Sequence, residues 1–126
     1  MTRLTLILSA LYLAGIGLFL MLFPLHFGVG AVPAEASSEL LALLRLLGGP
    51  FLGIAVLNWL SRNDRPSPRD PVLLANIVGF GAVAANDAWG VASGDAREIA
   101  KLFLVIHLLF TIAFVIAARE AWHRSD

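Results

Sequence analysis

Four apolar runs, each about the length of a membrane span, dominate this 126-residue chain and leave little room for anything else. The first reads LTLILSALYLAGIGLFLMLF, from Leu4 to Phe23, with no charge inside it. About 20 apolar residues in a helix cover the hydrocarbon core of a bilayer. A backbone at that depth satisfies its polar groups only as a helix or a closed barrel, and runs of this length specify helices. The chain is 59% hydrophobic and 14% charged, whereas soluble domains hold about 25% charged residues. The expected fold is therefore all-α, a transmembrane four-helix bundle forming a single integral membrane domain.

The expected spans are residues 4–23, 39–61, 71–93 and 99–118. Pro24 ends the first, because proline cannot continue the amide ladder. A cleaved signal peptide is the rival reading, with Arg3 as its basic flank and PAEA (Pro33–Ala36) as its cleavage site, but the apolar run exceeds a usual signal core. SSEL (Ser37–Leu40) supplies N-cap serines and a first-turn acid for the second span. GGP (Gly48–Pro50) is expected to kink that span and open room beside it. RNDRPSPRD (Arg62–Asp70) is a connector, and Pro71 suits the first turn of the third helix. Asp95 is expected to cap the fourth. Small residues in AGIG (Ala14–Gly17) serve close packing, either within the bundle or in a homo-oligomer.

Lysine and arginine bias sets orientation. Arg3, Arg62, Arg65, Arg69, Arg119 and Arg124 fall on one side, against Arg97 and Lys101 on the other, which places both termini in the cytoplasm. Trp59 and Trp122 then lie near the inner interface and Trp89 near the outer one, as an aromatic belt requires.

Few polar residues interrupt the spans. Asp87 lies roughly 9 Å below the outer edge, and Arg45 in the second span lies at the same depth. Each charge alone costs a few kcal/mol in hydrocarbon, so the two are expected to pair, with separate snorkelling to outer water as the alternative. His107 in the fourth span and Tyr12 in the first reach a similar level. Tyr12, Arg45, Asn86 or Asp87, and His107 thus form a candidate ligand-binding constellation in the outer half of the bundle. The same residues also fit a plain structural role, as hydrogen bonds across helix interfaces. Toward the inner end, Asn58 and Asn76 are expected to bond to one another. Asn76, Gly79, Val83 and Asp87 share one face of the third span, with Gly81 away from it.

Other chemistry finds little support. The net charge is zero, so nothing suggests a nucleic-acid surface. There is no cysteine, which removes disulfides, thiolate metal sites and cysteine nucleophiles. His26, His107 and His123 stand far apart in sequence, no metal motif occurs, and no cofactor is expected. A haem ligand at His107 lacks a second histidine at matching depth. Phosphate loops and nucleophile elbows are missing, GVG (Gly28–Gly30) being too short, and one intramembrane arginine makes no voltage sensor.

Three stretches carry a resemblance: LLRLLGGPFLGIAVLNWLSRN (Leu43–Asn63), LLANIVGFG (Leu73–Gly81) and VIHLLFTIAFVI (Val105–Ile116). They resemble a broad group of small bacterial four-span proteins of unassigned function. The resemblance implies an inner-membrane helical bundle, implies no activity, and singles out Arg45, Asn58, Asn76 and His107. The leading functional expectation is binding of a lipid or small amphipathic molecule, for transport or sensing, with Arg45 at an anionic head group. Asp87 would hold that arginine, and His107 and Tyr12 would donate hydrogen bonds. The alternatives are an accessory subunit of a larger membrane complex, and an enzyme using His107 and Asp87 on a lipid or isoprenoid.

Overall fold

A computed structural model describes residues 1–27, 29–30, 32–65, 67 and 70–123. Arg69 and Arg124, counted above for orientation, lie outside them, as do Gly28 of GVG and the loop residues Pro66 and Pro68. The described chain is helical: α1 (Thr2–Leu22), short α2 (Pro24–Phe27), α3 (Ser38–Leu60) followed by a 3₁₀ turn (Ser61–Asn63), α4 (Pro71–Ser93) and α5 (Ala100–His123). Four of these helices are long and apolar enough to cross a membrane, which fits a multi-pass membrane protein.

The helix boundaries follow local chemistry. Ser37 caps α3, its hydroxyl accepting from the Leu40 amide at 3.3 Å. Asp70 caps α4, accepting from the amides of Val72 at 2.9 Å and Leu73 at 3.1 Å, with Pro71 in the first turn. Gly94 ends α4 in the left-handed region (φ 80°), which a side chain adopts only with strain. Pro24 ends α1 and opens α2. Asp95 does not cap α5. It lies five residues ahead of Ala100, and a turn from Arg97 to Ala100 starts that helix instead, the Ala100 amide donating to the Arg97 carbonyl at 2.9 Å.

The chain divides into two compact units. One spans Leu6–Ser61 and carries most of α1 together with α3. Buried Leu6, Ser9, Ala10, Leu13, Gly17 and Leu20 recur at three- and four-residue spacing along α1, the stripe a packed helix requires. Gly17 and Gly48 let the two backbones meet. A Cβ on Gly17 would lie 2.8 Å from the Gly48 carbonyl oxygen, and one on Gly48 would lie 2.5 Å from the Gly17 carbonyl oxygen. Gly15, by contrast, has open space where its Cβ would be. Gly17 of AGIG therefore serves α3. Gly48 brings α3 against α1 at this point, and α3 stays helical through Pro50.

The other unit comprises Met1–Thr5 and the chain from Arg62 onward, with α4 and α5 as a helical hairpin. Its register is antiparallel: Phe80 meets Phe114, Gly81 faces Thr111, and Asp87 meets His107. Phe80 stacks on Phe110 at 4.7 Å and on Phe114 at 5.8 Å between ring centroids. Phe114 is fully buried. Gly79 has open space around it, whereas Gly81 stands 3.7 Å from the Thr111 side chain. The expected small-residue face is thus corrected. α5 packs on the Gly81 flank, because Leu73, Asn76, Phe80 and Ala84 turn inward and carry Gly79 outward.

Candidate functional site

α4 brings Asp87 to α5 through the turn that buries Phe80 and Ala84, since residues three and seven positions earlier share its side of the helix. α5 presents Phe103, His107, Phe110 and Phe114 at positions i, i+4, i+7 and i+11, a single stripe. The two stripes meet at the candidate site. His107 Nδ1 lies 2.6 Å from Asp87 Oδ2, with side chains only 12% and 16% exposed.

That separation is short for an N–H···O contact, and charge-assisted hydrogen bonds are the short ones. Either the imidazole N–H donates to the carboxylate, or a protonated Asp87 donates to Nδ1. Both arrangements hold one proton between the two atoms. An unpaired carboxylate would cost several kcal/mol in a dry surrounding, so each group secures the other. Thr111 donates its hydroxyl to the His107 carbonyl at 2.7 Å, keeping its own polar atom off the apolar surface. Rings flank the imidazole on two sides. Phe103 lies nearly parallel to it at 6.2 Å, and Phe80 is tilted against it at 6.1 Å.

Asp87 was expected to take Arg45 as its partner. Within its own unit the carboxylate meets His107. Arg45 lies exposed on α3, and Tyr12 is half-buried on α1, both in the other unit. Of the neighbours Asn86 and Asp87, Asp87 turns toward α5 and Asn86 is exposed.

The asparagines find partners inside their own units. Asn58 Nδ2 donates to Ser9 Oγ at 3.0 Å, and the Ser9 hydroxyl donates to the Leu6 carbonyl at 3.1 Å. Both side chains are fully buried. Asn76 Nδ2 donates to the Val72 carbonyl at 2.8 Å, one turn back along α4. Among the described residues no buried side-chain nitrogen or oxygen lacks a partner. Ser9 has no motif to mark it in the sequence, although it sits on the same α1 stripe as Leu6, Leu13 and Gly17. The phenylalanine stripe of α5 was equally readable, from its spacing about His107.

Among the described residues, no three His, Cys, Asp or Glu side chains gather closely enough to hold a metal ion. The arrangement supports two kinds of chemistry. It can hydrogen-bond a polar group of a ligand, and it can move one proton at the His107–Asp87 contact.

Comparison with protein-family models, with curated proteins and with solved structures gives no match for this chain.

Proposed function

We propose that this chain is a multi-pass inner-membrane protein, both termini cytoplasmic, that binds a small amphipathic or lipid-like ligand at the Asp87–His107 pair. One observation carries the reading: two ionisable side chains meet at 2.6 Å within helices long enough to cross a membrane. Ionisable groups at that depth are expensive, and function is the usual reason they are kept. The pair supplies polar anchoring for a head group, and the phenylalanines around it supply an apolar wall. Binding serves transport or sensing. The orientation rests on the bias of Lys and Arg toward one side of the chain.

A second reading draws on the same convergence. An enzyme acting on a lipid or isoprenoid needs a base and a positioning carboxylate within hydrogen-bond reach, and His107 and Asp87 meet that requirement. Native mass spectrometry of the protein gently extracted from its own membrane separates the readings. A retained small molecule supports the binding reading. A retained protein partner without one supports an accessory subunit and reduces the pair to an interhelical contact. Turnover of a bound lipid would favour the enzyme.

A further inference from the structure

α3 carries one arginine inside its apolar stretch. Arg45 lies about 10 Å along the helix from its start at Ser38. Its side chain is exposed, and among the described residues it makes no hydrogen bond, ion pair or ring contact. Glu39, the acidic residue of the same helix, is not paired with it. Gly49 and Gly53 follow Arg45 at i+4 and i+8, on the same face. Both are exposed, and a Cβ built on either would meet nothing within 4 Å. Leu46 and Val56, 71% and 58% exposed, border them. Going along α3 from its start, this face is a cation and then a notch floored by backbone between apolar rims.

We propose that this face of α3 binds an anionic phospholipid, with the phosphate on Arg45 and an acyl chain along Gly49 and Gly53. The proposal uses only residues of the Leu6–Ser61 unit and stands apart from the reading of Asp87 and His107. A guanidinium left alone in hydrocarbon is costly, so it takes an anion or reaches toward the interface. Each Cα–Cβ bond of a helix tilts toward the helix N-terminus. An arginine at this depth therefore extends back toward the end where α3 begins, to the level of the lipid phosphates. Its planar fork of N–H donors matches two phosphate oxygens at once. Charge argues against a second copy of this chain as the occupant. Two α3 helices packed on their glycines would set two Arg45 side chains at one level, where like charges repel. Phosphatidylcholine offers the same phosphate beside a choline cation, so the face selects head groups with net negative charge.

The full chain is placed in phosphatidylcholine nanodiscs that hold a minor share of phosphatidylglycerol with the same acyl chains. Native mass spectrometry of the released protein counts the lipids it retains, and the ratio of the two is compared with that of the disc. The wild type is expected to enrich phosphatidylglycerol at least about fivefold, the scale of one arginine at an anionic surface. Arg45→Gln brings the enrichment close to one, and Arg45→Lys keeps part of it. Arg65→Gln, which removes an exposed cation of the connector, leaves it unchanged. Gly53→Leu fills the notch and lowers it. A wild type without enrichment overturns the proposal. So do equal losses in Arg45→Gln and Arg65→Gln, which would reflect net charge rather than a site. Displacement of the lipid by inorganic phosphate would assign the cation to a soluble anion and overturn it as well. If Arg45→Gln lowers thermal stability as much in lipid-free micelles as in the discs, the arginine is held by the protein and the proposal falls. Enrichment that Gly53→Leu leaves untouched overturns the placement of the acyl chain.

Discussion

His107 Nδ1 and Asp87 Oδ2 lie 2.6 Å apart, and they join two helices that have few other polar groups to offer each other. The contact therefore does two things at once. It fixes the register of α4 against α5, and it places a proton-bearing pair in an apolar surrounding.

The structural share of that contact is measurable. In a double-mutant cycle, Asp87→Asn and His107→Gln are expected to show a coupling energy of about 1–2 kcal/mol, above the average for interhelical hydrogen bonds in membranes. Reversible unfolding in mixed detergent micelles reads it. Additive effects would mean that the pair contributes nothing to the hairpin.

The closest helix approach predicts its own asymmetry. Gly17→Ala and Gly48→Ala each force a methyl group into the opposing backbone and should destabilise the protein by about 1–3 kcal/mol. Gly15→Ala and Gly53→Ala meet open space and should be neutral or slightly stabilising, since alanine favours the helix. The same unfolding assay compares the four variants. Equal losses at all four positions would contradict the packing.

Ser9→Ala leaves the Asn58 amide without the hydroxyl it donates to, at a fully buried position. The expected cost is about 0.5–1.5 kcal/mol, the net worth of one buried hydrogen bond. Ser9→Ala combined with Asn58→Leu, which removes both partners, should recover part of that loss.

Phe80→Ala removes a ring that is 5% exposed and touches Phe110, Phe114 and His107, and about 3–5 kcal/mol should be lost. Asn86→Ala, on the exposed face of the same helix, should change stability by about 0.5 kcal/mol or less. A large effect at Asn86 would assign that face to a partner helix.

Much of this architecture was legible in the sequence, for reasons visible in particular residues. Apolar run length fixes the number of long helices, and Asp70, Pro71 and Ser37 mark two helix starts through their own side chains and ring. The level of His107 and Asp87 followed from counting residues from the helix ends. Partner choice was less accessible. Depth alone leaves open which way α4 is rotated, and within its own unit that rotation turns Asp87 toward His107. That rotation is set by Leu73, Phe80 and Ala84 packing inward, a pattern blurred in a helix that is apolar all round. Gly48 has a use that its own stretch of sequence does not reveal: its missing side chain leaves room for the backbone of α1.

The central claim is that the Asp87–His107 pair holds a ligand, and occupancy tests it most directly. Wild type, His107→Gln and Asn86→Ala are extracted identically from the native membrane, and the retained small molecules are quantified per protein by mass spectrometry. The account predicts one molecule of defined mass near stoichiometric amount in the wild type and in Asn86→Ala, and its loss in a folded His107→Gln. The same molecule at unchanged occupancy in His107→Gln, or no retained molecule in any of the three, would contradict it.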